Sequence, residues 1–240
     1  MVYEKVKFVE GENFITVEDT AALTEAEMRA FISRFTNDER MNEVDHLSIL
    51  LDESFSADIE KELQAHGFVL HDESVFVRRD LTTLPEVNDR FELRSLLDVS
   101  TSTFQSVWER SMQGSSNAPS YLQMDEQMRS VEKELGPTYV DTCNIAYEGD
   151  KAIGVVLPHI EPGTEDEGRF FFFGLLPDER GRKKAAPLYW QGLKALKEDF
   201  GATYSIGATS VNNKAMQQVF ATCGCEVTHR VKVYKKRKGS

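Results

Sequence analysis

A basic segment at residues 180–184, RGRKK, has the residue types best suited to chemistry in this sequence. It follows an apolar run at residues 169–176 and precedes residues 185–200, whose apolar positions have the i, i+3, i+4 spacing of an amphipathic helix. A helix that begins near Ala185 offers unpaired backbone N–H groups and positive dipole potential to an anion. Four cationic side chains add to that potential. The segment therefore predicts a phosphate site, with a solvated connection as the alternative.

Strand and helix patterns position this segment from both sides. The four phenylalanines in residues 169–176 predict a strand buried on both faces. Pro187 is accommodated only in a first helical turn, so we place that turn at residues 184–187, and Gly201 predicts the end of the helix. The pattern is thus strand, basic turn, helix.

A second strand and helix follow. Residues 202–211 are rich in β-formers and predict a strand. Asn213 is a favoured N-cap and Gly224 a favoured C-terminal stop, which predicts a short helix between them. Residues 226–236 predict two short strands before a basic, solvated tail.

Two motifs in this region resemble one family. The motif Arg180-x-x-Lys183-x-Ala185 is similar to the Arg/Gln-x-x-Gly-x-Gly/Ala pyrophosphate loop of the GCN5-related N-acetyltransferase (GNAT) superfamily. The downstream helix resembles the family's second motif, here Asn213-x-x-Met216-x-x-Val219-Phe220-x-x-x-Gly224-Cys225. The resemblance covers residues 91–236.

The resemblance implies an α/β (α+β layered) GNAT fold, with a central mixed, mostly antiparallel sheet flanked by helices and a smaller N-terminal α/β domain. Upstream patterns fit this architecture: they predict a strand at 91–97, helices at 102–112 and 127–135, and a hairpin of 141–148 with 151–159. The loop at 113–120 corresponds to the region that covers the acceptor in the family.

The resemblance also implies a co-substrate, acetyl-CoA, and its binding residues. The backbone of Phe173, Gly174, Leu175 and Leu176 would pair with the pantetheine arm and polarise the thioester carbonyl. The pyrophosphate would be bound by Arg180, Gly181, Arg182, Lys183, Lys184 and Ala185. Asn213 would contact the cofactor arm, cap its helix, or do both, and Phe220 would lie beside the cofactor.

This sequence departs from the family pattern at two of these positions. Lys183 stands where the loop motif usually has glycine, so a charge contact is expected to replace a close backbone approach. Phe220 stands where many members have a tyrosine that protonates the leaving thiolate, and phenylalanine cannot donate a proton. Cys223 lies one turn later, and we interpret it as a core residue.

A general base is harder to assign than the cofactor-binding residues. His159 and Glu161 are weak catalytic candidates because they follow the predicted hairpin strand, and surface positions are the alternative for both. No Ser–His–Asp order, metal-ligand spacing or Walker loop is present, so we expect no metal. The acidic residues 161–167 could attract a cationic acceptor or form a solvated turn.

These observations favour an acetyl-CoA-dependent N-acetyltransferase. It would transfer an acetyl group to a primary amine of a small molecule or peptide, by direct attack in a ternary complex. The changes at Lys183 and Phe220 leave two alternatives open: a non-catalytic acyl-CoA-binding or regulatory module, and a scaffold whose cofactor site has decayed.

The first 90 residues have a different composition. They contain 9 Lys+Arg and 21 Asp+Glu, whereas the remaining 150 contain 19 of each, so the net charge of −12 resides in the N-terminal part. We therefore predict an acidic domain at 1–85 and a GNAT domain at 86–240. Residues 67–79 also resemble residues 224–236, each following a predicted helix, and the upstream pattern predicts a strand at 47–51 and a helix at 56–66. The resemblance suggests a degenerate GNAT-like copy that packs against the catalytic domain or mediates a homodimer, with chance similarity of two helix–turn–strand units as the alternative.

Global properties exclude several classes of protein. No apolar run is long enough for a membrane helix, and no signal peptide is evident, so we expect no membrane partner. An acidic chain argues against nucleic acid as a partner. The three cysteines lack metal spacing and suggest reduced thiols in the cytoplasm.

Overall fold

The computed structural model describes residues 2–120 and 122–238. Strands and helices alternate along it in the order β1 Lys7–Glu10, β2 Phe14–Glu18, α1 Glu25–Asn37, β3 His46–Asp52, α2 Ala57–Ala65, β4 Val69–Asp80, β5 Glu92–Arg94, α3 Thr101–Met112, α4 Met124–Leu135, α5 Tyr139–Thr142, β6 Asn144–Glu148, β7 Lys151–Ile160, β8 Glu167–Leu175, α6 Ala185–Glu198, β9 Tyr204–Ser210, α7 Lys214–Thr222 and β10 Glu226–Arg237. The predicted α/β fold, a large mixed sheet flanked by helices, is confirmed. Among the described residues, no helix is both long and apolar enough to cross a membrane.

The chain divides into two compact units. The first comprises Met1–Val75 with His229–Ser240, and the second comprises Phe76–Thr228. These units differ from the predicted domains because the end of the chain pairs with β3, from Val231 opposite Asp52 to Arg237 opposite His46. The division therefore falls inside β4 and inside β10.

The first unit has the strand order β1-β2-β3-β10. Helices α1 and α2 bury their apolar faces in its core, which includes Phe31, Phe35, Ile59, Phe68 and Tyr234. The strand and helix predicted at 47–51 and 56–66 are confirmed as β3 and α2.

Helix α1 lies outside the predicted elements, although its sequence has clear helix signals. Thr24 and Glu27 form a capping box at its N-terminus. Met28, Phe31, Ile32 and Phe35 then follow at helical spacing and are fully buried. Strands β1 and β2, which pair antiparallel, also lie outside the predicted elements.

The second unit has the strand order β4-β9-β8-β7-β6-β5. Helices α3 and α4 pack on one face with Val155 and Leu157, and α6 packs on the other with Val156, as expected for alternating strand residues. The predicted helices and hairpin are confirmed as α3, α4, β6 and β7, but the first hairpin strand begins at Asn144 and not at 141, because Tyr139–Thr142 form α5. Helix α4 begins earlier than predicted, because Gln123 and Glu126 form a capping box.

The prediction of two short strands and a solvated tail at the C-terminus is wrong. Residues 226–237 form one strand, β10, and its last residues, Lys235 to Arg237, pair with Ser48, Leu47 and His46. Ladder hydrogen bonds to β3 fix a segment that would otherwise fray. Tyr234, which points into the core of the first unit, is fully buried.

The resemblance between residues 67–79 and 224–236 extends to their local structure. The segments β3-α2-β4 and β9-α7-β10 each consist of a 7-residue strand, a 9-residue helix and a 12-residue strand. Both helices end in the same way: Gly67 and Gly224 have positive φ angles, and the next residue donates to a helix carbonyl, Phe68 to Leu63 and Cys225 to Phe220. The matched geometry supports the proposal of a degenerate copy, which stays a prediction.

Tyr234→Phe tests how β10 is held in the first unit. The Tyr234 hydroxyl donates to Glu60 Oε2 at 2.7 Å, and Lys232 Nζ lies 2.7 Å from Glu60 Oε1. These partners, Lys232 first, hold the pKa of Glu60 below its usual range. We expect the variant to lose about 1.5–3 kcal/mol of unfolding free energy at pH 7 in urea denaturation.

The loss should shrink in acid. A depressed carboxylate pKa contributes stability above the unfolded pKa, which disappears as pH falls through the folded pKa. An equal difference between wild type and variant at pH 7 and at pH 3 would contradict this role for Glu60.

Candidate functional site

The candidate site is a cleft between β8 and β9. These parallel strands pair at Glu167–Tyr204 and Gly168–Ser205, and within the described residues they share no further register. Beyond Gly168 the strands diverge and open a cleft of about 810 Å³. It is lined by both strands, by the α3–α4 loop, by the loop before α6, and by α6 and α7.

A β-bulge shapes the β8 wall of the cleft. Val156 of β7 lies opposite Phe173 and Pro158 lies opposite Phe170, so Phe171 and Phe172 together oppose a single residue, Leu157. Consequently both Phe171 and Phe172 pack against Trp108, at 6.2 and 5.9 Å between ring centroids. The four phenylalanines are half-buried, because they line the cleft, and the prediction of a strand buried on both faces is wrong there.

The loop at residues 181–186 ends at the start of α6. Gly181 has φ 73° and Lys183 has φ 56°, so Lys183 adopts the left-handed conformation that glycine favours. Within the part of the chain that the structure describes, no protein acceptor is found for the backbone N–H groups of residues 181–186. Successive unpartnered N–H groups at a helix start form an anion-binding concavity. Helix α6 begins at Ala185, as Pro187 predicts.

The side chain of Arg180 contacts protein carbonyls. Its Nε donates to Leu175 O at 3.1 Å, and its terminal nitrogens donate to Gly114 O at 3.2 Å and Ser111 O at 2.8 Å. Arg180 therefore fastens the end of α3 to the end of β8. In this structure it positions the walls of the cleft.

Lys184 belongs to a network of ion pairs behind the loop. Its Nζ lies 2.5 Å from Glu148 Oε2 and 2.6 Å from Glu179 Oε2, and Lys151 pairs with the other oxygen of Glu179. These lysines, Lys151 first, lower the pKa of Glu179 from 4.5 to about 2. The charge of Lys184 is thus compensated, whereas Arg182 and Lys183 are exposed cations in the same loop.

Asn213 caps α7 and also contacts Asn117 of the α3–α4 loop. Its Oδ1 accepts from Met216 N at 3.1 Å, which confirms the helix N-cap, and its Nδ2 donates to Asn117 Oδ1 at 3.0 Å. Thr209 Oγ1 and Ser210 N also donate to Asn117 Oδ1. Asn117 therefore holds the α3–α4 loop to β9 and α7. The composition of residues 113–120 indicates a loop, but nothing in it distinguishes Asn117.

Phe220 lies in an aromatic wall of the cleft. It is 3% exposed and contacts Tyr189 edge to face at 5.5 Å, and Tyr189 contacts Phe170 and Phe173. A side chain at Gly207 would meet the Phe220 ring, so that glycine permits the close packing. Burial raises the pKa of Tyr189 well above 10.

His159 and Glu161 lie together but outside the cleft lining. They are 4% and 3% exposed, and His159 Nε2 is 3.4 Å from Glu161 Oε2. The surface alternative for both residues is therefore wrong. Phe171, whose ring lies 6.3 Å from His159, separates the pair from the cleft.

A family comparison agrees with this geometry. The model of the acetyltransferase (GNAT) family matches residues 94–225, more than half of the chain. The chain belongs to this family. Membership supports acetyltransferase activity in general. None of the curated proteins matches this sequence.

Solved GNAT structures show the same fold at low sequence identity. A GCN5-related N-acetyltransferase from Sphaerobacter thermophilus has a TM-score of 0.62 and 14% identity, over 97% of this chain and 76% of that chain. A tandem GNAT protein from the clavulanic acid biosynthesis pathway has a TM-score of 0.59 and 13% identity, over 98% and 79%. A GCN5-related N-acetyltransferase from Kribbella flavida has a TM-score of 0.57 and 12% identity, over 100% of this chain and 92% of that chain.

Two substitutions at Lys183 test whether its backbone shape matters. Lys183→Gly and Lys183→Val both remove the charge, but valine is strained at φ 56° and glycine is not. We expect valine to lower the unfolding free energy by about 1–3 kcal/mol and glycine to change it by less than about 1 kcal/mol in urea denaturation. Equal losses would contradict the left-handed conformation.

Glu179→Gln tests the ion-pair network behind the loop. The Glu179 side chain is 1% exposed, so removing its charge leaves Lys184 incompletely paired, at a cost of about 3–5 kcal/mol at pH 7. Because the folded pKa of Glu179 is depressed, wild type should lose this advantage between about pH 4.5 and pH 2. Thermal melts of both proteins across that range measure it, and an advantage that persists at pH 2 would refute the assignment.

Proposed function

We propose that this protein transfers an acetyl group from acetyl-CoA to a primary amine, by direct attack in a ternary complex. The observation that carries the proposal is the loop at residues 181–186 at the open end of the β8–β9 cleft, whose backbone N–H groups find no acceptor in the described ranges 2–120 and 122–238. A pyrophosphate supplies the acceptors that such a loop needs. Arg182 and Lys183 supply the compensating charge.

The β8 edge would hold the pantetheine arm. Beyond Gly168 the described residues of β9 do not pair with this edge, so backbone groups of Phe173 and Gly174 and the N–H of Leu175 are open to strand-like pairing with an amide-containing chain. The carbonyl of Leu175 already accepts from Arg180 Nε. The bulge at Phe171 and Phe172 changes the direction of the backbone groups in the middle of the strand. A backbone N–H at this point would polarise the thioester carbonyl. The β8 edge therefore matches the amides of the pantetheine arm, and the bulge matches the thioester carbonyl.

The raised pKa values of the three cysteine thiols favour direct attack by the amine over a covalent acyl-enzyme. Burial raises the pKa of Cys223 to about 12 and that of Cys225 to about 11, and Cys143 is likewise raised to about 12. A thiol must lose its proton to act as a nucleophile, so these groups are poor acyl acceptors near neutral pH. Positioning of the amine beside the thioester is then the main source of rate.

A second function, non-catalytic binding of acyl-CoA, is favoured by Phe220. Phe220 has no proton to donate to a leaving thiolate. The neighbouring phenol of Tyr189 is a poor proton donor, because burial raises its pKa well above 10. His159 and Glu161 stay proposals for a base, acting through water, because neither lines the cleft.

Calorimetric titration with acetyl-CoA tests the loop. Charge reversal of both Arg182 and Lys183 should weaken binding at least about 10-fold, because each charge-assisted hydrogen bond contributes on the order of 1.5–3 kcal/mol. The matched control reverses Arg129 and Lys133, which are exposed on α4 and absent from the cleft lining. Equal weakening in both double variants would refute a phosphate loop, and no binding by wild type would favour a decayed scaffold.

Release of free CoA in the presence of a panel of primary amines separates catalysis from binding. We expect turnover with at least one amine and a higher rate in Phe220→Tyr, because the new phenol supplies a proton to the thiolate. Binding of acetyl-CoA without release across the panel, in wild type and in Phe220→Tyr, would instead support the non-catalytic function.

A further inference from the structure

A buried cluster of three ligand-type side chains lies on the α3–α4 face of the second unit. Glu134 comes from the last turn of α4, His159 from β7, and Glu161 from the turn that follows β7. One nitrogen or oxygen atom from each lies within 4.8 Å of the other two. Since the three residues come from separate elements, sequence spacing gave no sign of the cluster.

The imidazole of His159 is the least satisfied group in the cluster. It is 4% exposed, and neither Nδ1 nor Nε2 has a hydrogen-bond partner among the residues that the structure describes. Its Nε2 lies 3.4 Å from Glu161 Oε2, a separation without hydrogen-bond geometry. Buried polar atoms are normally partnered, so an orphaned imidazole directed at two carboxylates indicates a missing ligand.

A guanidinium borders the cluster. Arg169 Nε lies 3.3 Å from Glu161 Oε2 but closer to Glu167 Oε1, at 2.6 Å, so its shorter contact is with a carboxylate outside the cluster.

We infer that Glu134, His159 and Glu161 form a binding site for one divalent transition-metal ion of the Zn²⁺ class. A mixed imidazole and carboxylate donor set suits Zn²⁺, whereas Ca²⁺ and Mg²⁺ prefer oxygen ligands alone. Donors around tetrahedral Zn²⁺ lie about 3.4 Å apart, so atoms that now lie within 4.8 Å of one another need to close by about 1.4 Å or less.

The backbone around Glu161 is suited to a fixed ligand. Its N–H donates to Glu167 O at 2.8 Å, and its carbonyl accepts from both the N–H and the hydroxyl of Thr164. Glu134 is half-buried and gives an ion access from solvent. A bound ion would fasten the end of α4 to the end of β7.

Metal analysis of the untagged, chelator-treated chain after equilibrium dialysis against Zn²⁺ tests the inference. We expect about one Zn²⁺ per chain in wild type, and less than a tenth of that in His159→Gln and in Glu134→Gln. The matched control is Glu132→Gln, an exposed carboxylate on the same helix, which should retain the ion. Wild-type content well below one, or unchanged content in Glu134→Gln, would overturn the site.

Co²⁺ substitution distinguishes this site from the thiols of Cys223 and Cys225. Nitrogen and oxygen ligation gives visible d–d bands without a thiolate-to-cobalt charge-transfer band. A charge-transfer band that persists in His159→Gln would assign the metal to the cysteines instead. Glu134 is half-buried at a helix end, so Glu134→Gln keeps the test decisive even if His159→Gln fails to fold.

Discussion

Strand β8 is paired along one edge and largely unpaired along the other. On the β7 side its register runs from Gly168 to Leu175, whereas on the β9 side it is paired at Glu167 and Gly168. An unpaired strand edge inside a folded unit must find other partners for its backbone groups. The cleft, its aromatic walls and the loop before α6 are all arranged around this edge.

The first unit contains a similar strand pair without the opening. Strands β2 and β3 are parallel, as β8 and β9 are, but β2 pairs with β3 from Phe14 to Val17. The hydroxyl of Thr20, after β2, donates to Leu50 O and accepts from Asp52 N, which ties the end of β2 to β3. Continuous strand pairing and this tie therefore hold β2 and β3 together along the stretch where β8 and β9 diverge.

The sequence predicts the elements around the site well and their side-chain roles less well. Pro187, Asn213 and Gly224 act locally, at helix ends, and so their effects can be read from neighbouring residues. The roles of Arg180 and Lys184 depend on partners far along the chain, such as the carbonyl of Ser111 and the carboxylate of Glu148. Lys183 is intermediate: lysine in place of the motif's glycine predicts that a charge contact replaces a close backbone approach, but its φ of 56° keeps the left-handed conformation that glycine favours. The exposure of the four phenylalanines follows from the divergence of β8 and β9, which no local pattern encodes.

Binding of the acetyl-CoA pyrophosphate by the backbone of residues 181–186 would protect amide groups that now lack an acceptor among the described residues. Amide hydrogen exchange, measured with saturating acetyl-CoA and without it, reports on those groups individually. We expect slowed exchange at residues 181–186 and along 173–175, with adenosine alone giving no protection of the loop. Unchanged exchange in the loop under saturating acetyl-CoA would show that the loop does not bind the pyrophosphate.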